Sequence, residues 1–205
     1  DEFIKTIIEK NIPMVVINRD ISVDGVINVL SNDTKGSYDA VQYLINNNHK
    51  KIGMIQGNLE FESSTYRKKG YIMALEENNI NVNNDYILSG KYTLESGYHN
   101  MKKLLDLEDK PTAVFCANDD IAVGAMKAIF ESGLRVPDDI SIIGFDNSNF
   151  CNYVTPTLTS VKKDSLTMSE IGGINLLDII NKKLINQEKI FIESYLVERN
   201  SVKRI

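Results

Sequence analysis

Hydrophobic residues recur along the chain in two spacings that follow each other from one end almost to the other. Short apolar runs such as "TAVFCA" (112–117) have the length of buried strands. Longer segments place apolar residues three and four positions apart, which is the spacing of one helical face. The segment 36–48 shows this spacing at Tyr38, Val41, Leu44 and Ile45. Because strands and helices alternate with short connections, the pattern predicts an α/β fold with largely parallel sheets.

The same pattern predicts the order of the elements. Helices are predicted over 1–13, from near Lys35 to 48, and over 65–79, 96–105, 119–133 and 165–182. Strands are predicted over 14–18, 26–30, 51–57, 86–89, 112–117, 140–145 and, as one final strand, 189–199. Asn118 or Asp119 is expected to cap the helix that begins there, and Gly133 is expected to take the left-handed turn beyond its end.

Polar side chains follow directly after two of the predicted strands. Asn118 follows "TAVFCA", and Asp146 follows "ISIIGF" (140–145), whose apolar residues suit a strand covered by helices on both faces. One helix connects the two strands, so we expect them to be neighbours that end at the same sheet edge. Small ligands bind at that edge of open parallel sheets, because variable loops and helix N-termini meet there.

Arg67 and Tyr92 are expected at the same edge, since each comes after a predicted strand. Carboxylate and guanidinium groups offer paired hydrogen bonds and an aromatic ring covers an apolar face, so the four side chains suit a sugar or a nucleobase. Simpler interpretations exist for each of them. Asp146 and Asn118 can cap turns and helices. Arg67 can form a surface ion pair, and Tyr92 can belong to the core.

Composition and charge narrow the class of protein. The 205 residues are 42% hydrophobic and 25% charged, which is ordinary globular usage. The net charge is −5 and the basic residues are spread along the chain, so no nucleic-acid surface is expected within it. The two cysteines have no metal or redox spacing; Cys116 is expected to be a small buried hydrophobe, which fits a reducing cytoplasm. No apolar run approaches the ~20 residues of a membrane helix, and the first residues lack signal-peptide features.

The segment "PTAVFCANDDIAVGAMKAIFESGLRVPDDISIIGFDN" (111–147) closely resembles the effector-binding domain of bacterial transcription regulators of the LacI/GalR family. Supporting pieces occur in the family's order: "IPMVVINR" (12–19), "YLINNNHKKIGMIQG" (43–57), "YRKKGYIMAL" (66–75), "TPTLTSVKKD" (155–164) and "LVERNSV" (196–202). The resemblance implies a type I periplasmic-binding-protein-like fold, in which two lobes, each a mostly parallel sheet flanked by helices, hold an effector in the cleft between them.

The resemblance also implies the residues of the effector site. Arg67 matches the ligand-binding arginine of the family, Asn118 matches the Asn of its "aND.mA.Ga" motif, and Asp146 matches the Asp of "GfD". Tyr92 falls where relatives carry an aromatic residue that stacks on the effector.

Three further positions complete the expected site. Phe61 and Ser63 align with a stretch that contacts ligand in some relatives, and Asp33 is expected to reach the ligand from the other lobe. One departure concerns Asn48, which stands where the family usually has Gly before His49; Asn tolerates the same backbone conformation.

The resemblance assigns residues 1–49 and 163–186 to an incomplete N-terminal lobe, and residues 50–162 and 187–205 to a C-terminal lobe. The family's helix-turn-helix does not occur in this chain, so operator DNA is expected to be bound through a missing N-terminal domain. The expected effector is a sugar or sugar derivative, with a purine as the less favoured choice. A cytoplasmic homodimer without cofactor, metal or membrane contact is expected.

Two other classes of function compete with this interpretation. An extracytoplasmic sugar-binding protein of a transporter shares the same architecture and cleft chemistry, so fold alone does not separate it from a regulator. An enzyme is disfavoured, because the sequence contains no HExxH, GxSxG, P-loop or GxGxxG motif. His49 is expected to pack or to form hydrogen bonds, His99 to lie on a solvated helix face, and Asp119 and Asp120 to interact with the helix dipole.

Overall fold

The computed structural model describes residues 2–21, 23–183 and 188–205. Its helices are α1 (Glu2–Glu9), α2 (Asp33–Asn46), α3 (Glu62–Glu77), α4 (Leu94–Leu105), α5 (Asp119–Glu131) and α6 (Ser165–Ile180). Its strands are β1 (Val15–Ile17), β2 (Ile27–Ser31), β3 (Ile52–Ile55), β4 (Ile87–Leu88), β5 (Ala113–Cys116), β6 (Ser141–Asp146), β7 (Thr159–Lys163), β8 (Lys189–Ile192) and β9 (Ser194–Val197). The predicted alternation of helices and strands is confirmed.

The chain forms two compact units. The first comprises Asp1–Asn32 and Lys163–Glu193. Its sheet has the order β1-β2-β8, and both neighbouring pairs are parallel. Ile27 and Val29 of β2 are buried together with Met168 of α6, which forms a small core. Within the described residues, no helix combines the length and apolar character that crossing a bilayer requires.

The second unit comprises Asp33–Lys162 and Ser194–Ile205. Its six-stranded sheet has the order β4-β3-β5-β6-β7-β9. One face packs against α4 and α5, with Leu104, Val114, Ile129 and Ile142 in the core. The other face packs against α2 and α3, with Leu44, Met54, Tyr71, Phe115 and Ile143. Because both faces are covered, the middle of β6, from Ile142 to Phe145, is apolar and buried, as the sequence predicted.

Strands β5 and β6 determine where the candidate residues lie. They are parallel neighbours, with Ala113 opposite Ser141 and Phe115 opposite Ile143. Their carboxyl ends therefore meet at one edge of the sheet, which confirms the predicted adjacency of the positions that follow them.

The unit boundary near the N-terminus differs from the predicted lobe boundary at residue 49. It lies between Asn32 and Asp33, so α2 belongs to the second unit. The reason is close packing of α2 on α3: a Cβ added to Gly70 would lie only 2.2 Å from the carbonyl oxygen of Thr34. The other unit boundaries follow Lys162 and Glu193, and the predicted lobe boundary at 186–187 falls on residues outside those that the structure describes. Whether these units act as the two lobes stays a prediction.

The single final strand predicted over 189–199 is wrong. It is two strands, because β8 pairs with β2 in the first unit while β9 joins the sheet of the second unit. Strand β7 was not predicted, since "TSVKK" has no apolar run. Its Thr159 and Ser160 are buried because hydrogen bonds satisfy them: the Thr159 amide donates to Ser201 and the Ser160 hydroxyl donates to Asp119.

His49, in the turn after α2, connects the C-terminal segment to the residue that precedes β5. Asn48 has φ 70°, so it takes the left-handed conformation for which Asn substitutes for Gly. His49 is buried, and its Nε2 donates to the carbonyl oxygen of Lys203 at 3.0 Å. Its Nδ1 lies 2.9 Å from the Thr112 hydroxyl. The structure therefore gives His49 the hydrogen-bonding role that was expected.

Acidification is expected to destabilise the protein through His49. Burial lowers the pKa of His49 below its ordinary value of 6.5, although the Lys203 carbonyl opposes the shift. The unfolded chain then binds a proton that the folded chain does not, so this part of the stability is lost as the pH falls below about 6.5. Urea denaturation of the wild type and His49→Gln at pH 7.5 and 5.5 measures the effect. The variant should lose less stability on acidification; equal losses would contradict this account.

Candidate functional site

Arg67 connects three parts of the second unit. It lies on α3 and is 3% exposed. Its Nε donates to Asp33 Oδ2 at 2.8 Å, and its Nη1 donates to the carbonyl oxygen of Ala117. Its Nη2 lies 3.5 Å from Oδ1 of Asp146. One guanidinium therefore contacts the start of α2, the residue after β5 and the end of β6.

The buried charge of Arg67 is compensated by its neighbours. Burial disfavours the charged guanidinium, but Asp33 and then Asp146 outweigh it, so the pKa of Arg67 is raised above its ordinary value. Arg67 Cζ also lies 3.8 Å from the ring centroid of Phe145, within range of a cation–π interaction. A paired and hydrogen-bonded arginine of this kind is a rigid, permanently charged donor.

Asp146 is held in an unusual backbone conformation. Its φ is 102° and that of Asn147 is 54°, so two consecutive residues other than Gly lie in the left-handed region. Asn tolerates this region, but the φ of Asp146 lies beyond the usual left-handed range, and such a conformation costs about 1–3 kcal/mol. The carboxylate is 31% exposed while lying close to Arg67. Strand β6 thus ends by presenting an acid that a ligand from solvent can reach.

Asn118 caps α5, as expected. Its Oδ1 accepts from the Ile121 amide at 2.9 Å. Within the part of the chain that the structure describes, Nδ2 has no hydrogen-bond partner. The cap fixes the side chain while leaving this donor for a ligand, so the capping and binding interpretations of Asn118 are compatible.

Tyr92, Phe61 and Ser63 come together beside Arg67. The Tyr92 hydroxyl lies 3.2 Å from Ser63 Oγ and 2.8 Å from Ser64 Oγ. Its ring centroid is 6.1 Å from that of Phe61, whose side chain is largely exposed, and 5.8 Å from Arg67 Cζ. Two aromatic rings and the buried guanidinium therefore lie next to one another at this edge.

Asp33 lies beside Arg67. It belongs to the same compact unit and pairs with Arg67 Nε, while its contact with a ligand from the other lobe stays a prediction. Asp33 is buried, and within the described ranges its Oδ1 has no hydrogen-bond partner. Its observed role is to orient Arg67. The other six expected residues also lie in this unit.

Sequence reasoning missed three residues that hold the Asp146 turn. The Asp119 carboxylate, expected to cap α5 or to interact with the helix dipole, accepts from the Ser148 amide and the Ser160 hydroxyl. Ser160 accepts in turn from the Asn147 amide at 3.0 Å, and Arg199 Nη2 donates to Asn147 Oδ1 at 2.7 Å. The "ND" pair at the start of α5 was the only local signal. Ser160 and Arg199 are distant from Asp146 in sequence, so no local pattern indicated their role.

Among the described residues, the cysteines and His99 do not join a second cluster of reactive side chains. Cys116 and Cys151 are buried free thiols; burial raises the pKa of both, that of Cys151 to about 12, so neither is a ready nucleophile. His99 lies on an exposed face of α4. Across the ranges that the structure describes, no group of three or more His, Cys, Asp or Glu side chains could hold a metal ion.

Comparison with known proteins identifies the family of the chain. The family model of the periplasmic binding protein-like domain matches residues 41–202. The chain belongs to this family. A solved sugar-binding transcriptional regulator of the LacI family from Escherichia coli, complexed with phosphate, is 31% identical to it, with a TM-score of 0.88 over 100% of this chain and 73% of that one. The chain is therefore a LacI/GalR-type effector-binding domain, as the sequence predicted.

Curated relatives agree with this assignment. The probable HTH-type transcriptional repressor ExuR of Bacillus subtilis (strain 168) is 47% identical over 205 residues, which are 100% of this chain and 62% of that protein. The HTH-type transcriptional repressor PurR of Mannheimia succiniciproducens is 41% identical over 177 residues, 86% of this chain and 53% of that protein. The chain thus spans less than two thirds of the length of either repressor.

Proposed function

We propose that this domain senses a small polar effector, a sugar or sugar derivative, for a transcriptional repressor that binds operator DNA through a domain outside this chain. The observation that carries the proposal is the convergence of Arg67 and Asp146 beside Asn118 at one edge of the parallel sheet. The likeness to two HTH-type repressors and to a sugar-binding LacI-family regulator supports it.

The chemistry of the edge suits a polyhydroxylated ligand. The Asp146 carboxylate can accept from two neighbouring hydroxyls, while Asn118 Nδ2 and Arg67 Nη2 can donate to ring or hydroxyl oxygens. The Tyr92 ring supplies an apolar surface for the face of a sugar. A purine is the second candidate, favoured by the Phe61–Tyr92 ring pair, which could stack on a flat base.

Regulation would follow from a population shift. We propose that the effector favours one arrangement of the two lobes and that this changes how a cytoplasmic homodimer presents two DNA-binding heads to half-sites about one helical turn apart. A coupling of about 1–3 kcal/mol between effector and operator sites is typical of such regulators. An effector with equal affinity for both arrangements would have no effect.

Neither rival class is favoured. The curated relatives are repressors, which argues against a transport protein. Their likeness also gives no support to catalysis, and we propose none.

Calorimetric titration of the chain tests the proposal. D-Ribose, cellobiose, D-galacturonate and hypoxanthine represent neutral sugars, an acidic sugar and a purine. We expect at least one of the three sugars to bind with a single site per chain. If only hypoxanthine binds, the proposed effector would be a purine instead of a sugar. Absence of binding by all four, with a correctly folded chain, would count against an effector site of this class.

A further inference from the structure

We propose that Asp119 is the positioning residue of this site: its carboxylate fixes the left-handed turn that presents Asp146, and it joins that turn to Asn118. This inference rests on the proposed effector function, because it explains how the ligand-binding groups are held. Asp119 does not itself contact the effector in this account.

The turn needs support from outside its own sequence. Asp146 has a φ of 102°, beyond the range that Asn and Asp commonly adopt, so the local chain prefers another conformation at this residue. The two amides that follow Asp146 would also lack partners, because β6 ends there. The amides of Asn147 and Ser148 both donate to acceptors in one cluster, formed by Asp119 and Ser160. The Ser148 amide donates to Asp119 Oδ2 at 2.6 Å, and the Asn147 amide donates to Ser160 Oγ.

Asp119 organises that cluster. Ser160 donates its single hydroxyl proton to Asp119 Oδ1 at 2.5 Å, which leaves a lone pair facing the Asn147 amide. Asp119 is 1% exposed, so its hydrogen bonds do not compete with solvent. Strand β6 leaves space for the Asp119 carboxylate because it has a glycine at position 144. A Cβ added to Gly144 would lie 2.3 Å from Asp119 Oδ1 and would clash with it.

The same residue links the two strand ends. Asp119 is the first residue of α5 and directly follows Asn118, the cap of that helix. Its carboxylate reaches from the end of β5 to the turn after β6 and to β7. Asn118 and Asp146 are thereby fixed relative to each other by one side chain. Burial raises the pKa of Asp119, which the donors Ser160 and Ser148 oppose, as befits a carboxyl group enclosed by the fold.

Asp119→Asn tests the inference, and Asp120→Asn is the matched control, since it removes the same charge from the next position of the same helical turn. Amide hydrogen exchange of the chain without any ligand is the first measurement. In Asp119→Asn we expect exchange at Asn147 and Ser148 to accelerate at least ~10-fold. Core amides such as Phe115 and Ile143 report global stability, and a purely structural role would accelerate all of them together.

The second measurement is the affinity of each variant for D-ribose, cellobiose, D-galacturonate and hypoxanthine. Asp119→Asn should weaken whichever of these the wild type binds by roughly 10- to 100-fold, whereas Asp120→Asn should leave the affinity unchanged. Failure of all four to bind the wild type would defeat the proposed function, while the exchange data would still decide the role of Asp119.

Ser160→Ala provides a second route if Asp119→Asn does not fold. It removes the acceptor of the Asn147 amide and one donor to Asp119, so accelerated exchange at Asn147 is expected. The inference is overturned if both variants leave exchange at Asn147 and Ser148 at the level of Asp120→Asn, or if the turn loosens without any change in affinity for a compound that the wild type binds.

Discussion

Arg67→Met is expected to lower the free energy of unfolding by about 3–5 kcal/mol, the typical cost of removing one partner from a buried ion pair. The substitution keeps much of the side-chain volume but leaves the buried Asp33 carboxylate without its cation. It also removes the donor to the Ala117 carbonyl. Urea denaturation measures the change, and effector binding should be lost as well.

Two further variants separate the charge from the packing. Arg135→Met is the control, because that side chain is 71% exposed and its ion pairs should contribute no more than about 1 kcal/mol. Arg67→Met combined with Asp33→Asn should regain part of the lost stability, since the double variant buries no unpaired charge. It should not regain effector binding. Equal stability of the wild type and Arg67→Met would show that Asp33 does not depend on Arg67.

Asp146→Gly is expected to abolish effector binding while keeping the fold. It removes the carboxylate, and a loss of hydrogen bonds to a charged group in such a site typically weakens binding ~100-fold or more. Arg67 keeps its bonds to Asp33 and to the Ala117 carbonyl, so no buried charge is stranded. Glycine also tolerates the φ of 102° at this position. Calorimetric titration and urea denaturation of the same preparation measure the two effects.

Asp146→Ala is the matched comparison for the backbone argument. Both variants lack the carboxylate, so both should lose effector affinity. Alanine retains the strain of the left-handed conformation, and we expect Asp146→Ala to be less stable than Asp146→Gly by about 1 kcal/mol. Retained effector affinity in either variant would show that Asp146 does not bind the effector. Equal free energies of unfolding of the two variants would contradict the proposal that the turn is strained.

Local patterns predicted most of the fold. The apolar runs located β5 and β6, and the single helix between them implied that they are neighbours, which their pairing confirms. The cap at Asn118 and the left-handed Gly133 also follow from local chemistry and are present. These features depend on residues close together in sequence.

The parts that could not be predicted depend on distant partners. Strand β7 has one apolar residue, Val161, in the core, and the burial of its Thr159 and Ser160 is explained by hydrogen bonds to the distant residues Ser201 and Asp119. No turn residue marks the break at Glu193 between β8 and β9. The break occurs because β8 pairs in the sheet of the first unit and β9 belongs to the sheet of the second. The ion pair between Asp33 and Arg67 could not be predicted for a similar reason. The role of Asp33 follows from Arg67, 34 residues away, rather than from its neighbours.

A crystal structure of the chain with the tightest-binding compound among D-ribose, cellobiose, D-galacturonate and hypoxanthine would test the central claim most directly. The account predicts that the compound is hydrogen-bonded to the Asp146 carboxylate and to Arg67 or Asn118, with one face against the Tyr92 ring. A compound bound elsewhere, with Arg67, Asn118 and Asp146 making only the contacts seen without it, would contradict the account.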